Sequence, residues 1–432
     1  MKNTILNVKR PVTIPKENCP DSTIKLLTEG YLYIPTRIRR YQSELFQTRL
    51  FGQKIICMSG ERAAKIFYDQ DLFTRKGAIP KRIQETLFGK KGIQTMDGAA
   101  HMDRKLMFLS LMTPEKINDI IRLTKKQWRM NSRRFETKSS IVLFDEAAKL
   151  LFHVACKWAG VPIYKSEIRQ KAEDMSAMID AFGAIGPRHI IGRCARNRSE
   201  SWAITMIKKV RAGQLIAPTD SALYAVAWHK NLNGRLMDTK TAAIELINIL
   251  RPITAIATYV TFGALALNMH PECRQKLQQD DDIYLTNFVQ EIRRYYPFGP
   301  FLGARVRNEF KWQDHVFRKN DLVLLDIYGT NHDPNIWREP NIFRPERFEE
   351  RTENPFDFIP QGGGDAMMGT RCPGEWLTIE LLKVSMDFLA NNLEYDVPLQ
   401  NLSYNLRRIP TLPKSKFIIT NVRKRANSPD LP

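Results

Sequence analysis

Two short stretches hold residue types that are costly to bury unless they act. The first is ELINILRPITAIATYV, residues 245–260, an apolar run with Arg251 and Pro252 at its middle. A lone buried guanidinium costs several kcal/mol, and it becomes tolerable when an anion pairs with its planar fork. Proline inside a helix removes one backbone hydrogen bond and bends the rod. Together they describe a carboxylate clamp beside an opened space. The alternative is two abutting helices, with Pro252 starting the second and Arg251 turned outward to solvent.

The second stretch is GGGDAMMGTRCPGEWLTIELL, residues 362–382. A glycine-rich loop delivers Cys372 to the start of an amphipathic helix, where free N–H groups and the helix dipole favour a thiolate. Arg371 adds a positive charge beside it. A thiolate there suits a strong axial ligand for a haem iron; the plain alternative is an inert buried cysteine.

The elements that must position these residues follow from periodicity. The first forty residues carry Pro11, Pro15, Pro20 and Pro35 and read as an irregular arm. LFGQKIICMSG reads as a strand and turn. From Glu61 to about Tyr295 apolar residues recur at threes and fours, which predicts helices, with a break at FGAIGPRH. After Pro297 come strand-like runs in HVFRKNDLVLLDIYG, a long loop, the helix EWLTIELLKVSMDFLANNL, a last strand FIITNV and a frayed tail from about 423 to 432. The fold class expected is mainly α with small β-sheets, in one domain over 1–432.

The 432 residues carry a net charge of +20 with 43% hydrophobic residues. The basic residues are spread along the chain, which favours a solvated surface over a nucleic-acid or membrane patch. The six cysteines are scattered, with no CxxC pair, which points to a reducing compartment. The start lacks a signal-like apolar region, so a cytoplasmic protein without a transmembrane segment is expected. There is no HExxH and no GxGxxG, so zinc and nucleotide chemistry find no support.

Glu291 and Arg294 in EIRR, then YYPFGPFLGARV, then NHDPNIWREPNIFRPERF with Arg347, then the Cys372 loop, follow one another in an order that resembles the cytochrome P450 family. That resemblance implies a helical body around haem b, with Cys372 as the metal ligand. It also implies a Glu291–Arg294–Arg347 triad behind the loop. The loop departs from the usual pattern: Asp365 and Met368 stand where phenylalanine and glycine are customary, and Arg371 adjoins the cysteine. The distal helix has Arg251-Pro252 in place of the customary acid–alcohol pair. Both departures, with AIPKRIQETLFGKKGIQTMDG, FLSLMTP and FIPQGGGD, resemble the bacterial fatty-acid peroxygenases.

The resemblance implies hydrogen-peroxide-dependent hydroxylation of long-chain fatty acids at the α or β carbon, with no obligatory redox partner. Arg251 would hold the fatty-acid carboxylate, which then serves as general acid–base, beside Pro252 and Gln94. Leu87, Phe88, Phe298 and Phe301 match channel positions. Arg75, His101, Lys105 and Arg305 match haem-propionate partners. Gln94, where related decarboxylases carry histidine, favours hydroxylation over alkene formation. A redox-partner-fed monooxygenase, a haem sensor and a basic nucleic-acid-binding protein are the remaining readings.

Overall fold

The computed structural model describes residues 14–279 and 281–425. Its centre is one helix, Thr239–Met269, of 31 residues. Asp238 caps it by accepting from the Thr241 N–H at 3.0 Å. Almost every residue from Thr241 to Leu267 is buried. The helix is long and apolar enough to cross a membrane, yet it is enclosed by protein. It packs against Leu143–Trp158, Pro187–Arg211 and Glu375–Asp387, whose apolar faces join it in one core cluster. Pro252 lies inside this single helix, so the reading of two abutting helices is not realised.

A smaller layer is a five-stranded sheet in the order Leu45–Leu50, Gln53–Met58, Leu322–Asp326, Phe301–Val306 and Phe73–Thr74. The sheet has its own apolar cluster around Leu45, Ile56, Val323 and Leu325. A second sheet joins Ser140–Val142, Ile418–Lys424 and Leu393–Asp396. The mainly helical fold with small sheets is as expected.

Several local expectations change. Residues 23–41, expected as an irregular arm, form the helices Thr23–Glu29 and Tyr33–Tyr41 with a short turn between them. Pro35 sits in the first turn of the second helix, where its missing N–H would have found no partner anyway. Pro11 lies outside the described residues. The expected single strand at LFGQKIICMSG is the second arm of a hairpin, turned at Phe51 and Gly52, both with positive φ. That turn matches the right-handed twist of the strands it joins. The last strand runs on to Lys424, because Arg423 and Lys424 pair with Glu394 and Leu393; residues 426–432 of the expected tail lie outside the described residues. The break at FGAIGPRH separates Lys165–Asp180 from Pro187–Arg211, as expected.

Candidate active site

Arg251 is buried, with 6% of its surface exposed. Among the described residues its one hydrogen bond runs from Nη2 to Asn248 Oδ1 at 3.3 Å. Its Nε is buried and has no partner. The Phe88 ring lies 5.8 Å from its Cζ. Burial, then the nearby charge of Arg196, push its pKa down to about 9. The group is therefore charged at neutral pH and short of an anion.

The surrounding carboxylates are already taken. Glu245, fully buried, accepts from Arg104 Nη1 at 2.6 Å and the Ile93 N–H at 2.9 Å through Oε1. Its Oε2 accepts from Asn248 Nδ2 at 2.9 Å. Glu200 pairs with Arg196 at 2.7 Å. Three buried guanidiniums, those of Arg104, Arg196 and Arg251, thus share two carboxylates. The one left without a carboxylate is Arg251, so a single added anion neutralises the cluster.

Asn248 ties the site together. Its amide nitrogen also approaches the Phe88 carbonyl at 3.1 Å and Gln94 Oε1 at 3.3 Å. Glu245, Asn248 and Arg251 are spaced three apart, so they share one helix face. That spacing was the available signal for Glu245 and Asn248, which sequence reasoning missed. Nothing local marks Arg104 or Arg196.

Pro252 is exposed, although Leu250, Arg251, Ile253 and Thr254 around it are buried. The helix is otherwise enclosed, so the packing around it is interrupted at Pro252. Cys372 tells the same from the other side: it lies deep in the molecule yet keeps accessible surface. A thiolate at this position would be close enough to Arg251 and to Lys105 to favour their charged forms.

The cysteine loop is held by two charge locks. Arg294 grips Glu291 with two bonds of 2.7 Å, and Arg347 Nε donates to the same carboxylate at 3.1 Å. Arg294 also donates to the Asn331 carbonyl at 3.0 Å. Asn331 Oδ1 in turn accepts from the Ile359 N–H at 3.1 Å, where the loop begins. The second lock was not foreseen. Glu375, in the first turn after the cysteine, bonds both Arg293 and Arg371. Arg293 also donates to Gln361 Oε1 at 3.2 Å, and the Gln361 carbonyl accepts from the Cys372 N–H at 3.1 Å. The Arg371 charge is therefore spent on Glu375 rather than on the thiol. Burial pushes the Cys372 thiol up, with the Gly374 N–H and Gln361 side chain opposing. Deprotonation there depends on coordination to a metal, which removes a thiol proton outright.

His101 and Lys105, both buried, lie with Arg75 near the same loop. Burial and the Arg75 charge push His101 down to about 4 and Lys105 down to about 8. Arg75 has a buried Nε without a partner. Among the described residues neither Arg75 nor Lys105 forms an ion pair, and two haem propionates would supply the anions. Lys105 also holds the loop by donating to the carbonyls of Gly369 at 2.5 Å and Arg371 at 3.4 Å. Arg305 pairs with Thr74 across the sheet, next to Arg75, and its guanidinium donates to the carbonyls of Gly77 and Asn320. The accessible thiol, the space at Pro252 and the basic group of Arg75, His101 and Lys105 fit a haem.

The channel candidates divide. Leu87 is buried and Phe88 adjoins Arg251. Phe298 stacks on Tyr259 of the central helix at 4.5 Å. Phe301 packs against a sheet cluster that includes Tyr33, Cys57 and Leu324.

A cytochrome P450 family model matches residues 264–414. Cytochrome P450 3A31 of Mesocricetus auratus is 27% identical over 215 residues, which span 45% of this chain and 42% of that protein's length. The solved structure of cytochrome P450EX alpha (CYP152N1), wild type with myristic acid, is 43% identical with a TM-score of 0.93, covering 96% of this chain and 100% of the other. A variant of cytochrome P450 OleT in complex with arachidonic acid is 39% identical with a TM-score of 0.94, over the same shares of both chains. With the Glu291 lock behind a loop-borne cysteine and this likeness along nearly its whole length, the chain belongs to the cytochrome P450 family, on the branch of the CYP152 structures, and is a haem protein with a cysteine thiolate as iron ligand.

Proposed function

We propose that the protein is a fatty-acid peroxygenase, which uses hydrogen peroxide to hydroxylate long-chain fatty acids at the α or β carbon. The observation that carries this is Arg251: buried, charged, and left without a carboxylate among paired neighbours. A fatty-acid carboxylate matches its fork and neutralises the cluster. Two solved relatives bound to myristic and arachidonic acids support that ligand class.

Haem, when bound through Cys372, supplies oxygen activation and oxidation of the C–H bond. The chain's own residues do the rest. Arg75, His101 and Lys105 would hold its propionates. Arg251 anchors the substrate head group, and Asn248 orients that guanidinium. Pro252 donates no N–H to the helix ladder, and its exposed ring keeps the facing space open. The anchored carboxylate is the general acid–base, accepting a proton from peroxide and returning it to the leaving oxygen. Leu87 and Phe88 flank the first carbons of the chain. Gln94 donates and accepts but does not titrate, which favours hydroxylation over decarboxylation.

Arg251→Ala with hydrogen peroxide and myristic acid tests the reading. The variant is expected to keep its haem and lose hydroxy-acid formation by a factor of about 10² or more. Parental turnover by the variant overturns the anchor, and mostly terminal alkene from the parent protein overturns hydroxylation.

A further inference from the structure

Arg196 stands on the helix Pro187–Arg211, beside the anchor, with 1% of its surface exposed. Its Nε donates to Glu200, and its Nη1 donates to the Leu87 carbonyl at 2.9 Å. Its Nη2 is buried without a partner. A buried ion pair with an idle donor is a poor stabiliser, and an apolar side chain of similar volume often serves stability better. Its burial is therefore weak evidence for a stabilising role.

The bond to Leu87 matters because of what lies next to it. The adjacent Phe88 carbonyl accepts from Asn248 on the central helix at 3.1 Å. Two consecutive carbonyls are thus pinned by side chains from two different helices. The turn Gln84–Phe88 that carries them ends at Gly89, where φ is 80°. A methyl group at 89 would strike Arg196 Nη2 and Ile244, so glycine there lets the guanidinium lie against the backbone. The turn carries Leu87 and the Phe88 ring that faces Arg251.

We propose that Arg196 is a positioning residue: it fixes the Leu87–Phe88 turn beside the Arg251 anchor and so selects which carbon of the anchored chain is hydroxylated. The inference rests on the reading of Arg251 as the fatty-acid anchor. With the head group fixed, the α and β carbons differ in position by little more than one bond. A displacement of roughly 1 Å in the flanking wall is enough to change reaction rates by orders of magnitude. The planar fork bonds Glu200 through Nε and the Leu87 carbonyl through Nη1 in one fixed geometry, with its charge beside Arg251. Lysine keeps the charge and loses the fork.

The test uses the haem-loaded full chain as Arg196→Lys and Arg196→Met, with myristic acid and peroxide. Three quantities are read: the ratio of 2-hydroxy to 3-hydroxy product, myristate affinity from the haem spectrum, and hydrogen exchange of amides 84–92. Arg196→Lys is expected to keep haem content and bind myristate within about threefold of the parent, while the product ratio shifts by at least about threefold. Exchange at 84–92 is expected to quicken about tenfold. A haem-replete lysine variant with the parental ratio and parental exchange overturns the proposal. So does a uniform loss of haem and turnover at constant ratio, which marks a purely structural residue. If Arg196→Met does not fold, the lysine variant decides alone. If the parent protein yields no hydroxy acid, the peroxygenase reading fails separately. Exchange then still decides the latch: faster exchange supports it, and unchanged exchange overturns it.

Discussion

Arg251 has five N–H donors and uses one, at 3.3 Å. Neighbouring buried guanidiniums are treated differently: Arg104 and Arg196 each own a carboxylate. That contrast separates a cation already paired with a carboxylate from one left to bind an incoming anion. It also predicts what lysine at 251 does. Arg251→Lys keeps the charge but gives up bidentate geometry, so myristate affinity is expected to fall about tenfold. Turnover is expected to fall further than affinity, because the carboxylate is held but no longer oriented. Titration of the haem spectrum with myristate, beside steady-state rates, checks the split; equal losses in both count against orientation.

At the scale of elements, the cysteine loop depends on the helix Asp282–Tyr295. That helix supplies Glu291 and Arg294 to one lock and Arg293 to the other. Consecutive residues at 293 and 294 point to different partners because successive side chains on a helix are turned by about 100°. Glu291 carries two arginines and the Arg344 N–H on one carboxylate. Removing its charge leaves two guanidiniums facing no anion. Glu291→Gln is expected to cost about 3–5 kcal/mol and to lower haem retention. Chemical denaturation and the haem-to-protein ratio measure both. EIRR showed one lock in the sequence. The other needed Glu375, which is 82 residues from Arg293 along the chain and joins it only in the fold.

At the scale of the whole molecule, pH acts through groups far from the site. Asp326 ends a central strand of the larger sheet and is buried, accepting from the Gly329 N–H at 2.8 Å and from Ser59 at 3.3 Å. Burial pushes its carboxyl up to about 8, against roughly 4 in an unfolded chain. The folded chain therefore keeps a proton that the unfolded chain releases. This group's contribution is full below about pH 4 and is lost as pH rises through about 8. Asp326→Asn removes that titration while keeping an acceptor for Gly329. Relative to the parent, the variant is expected to gain about 2–3 kcal/mol between about pH 5.5 and pH 7.5. Melting curves of both proteins across that range check it; a difference independent of pH refutes it.

The sequence by itself determined the helical class, the cysteine loop and the Arg251-Pro252 pair, because each is written in local spacing or in residue types that rarely suit a core; the first charge lock, which joins residues 56 positions apart, came from the family resemblance. It misread residues 23–41, where prolines outside and at the start of helices looked like helix breakers. Only the tertiary structure decided which cations are paired. Pairing is a matter of three-dimensional distance, and Glu245 meets Arg104 across 141 positions while Arg196 meets Leu87 across 109. The anchor is legible as an arginine in the chain, but it becomes a site only once every nearby carboxylate has been claimed by another residue.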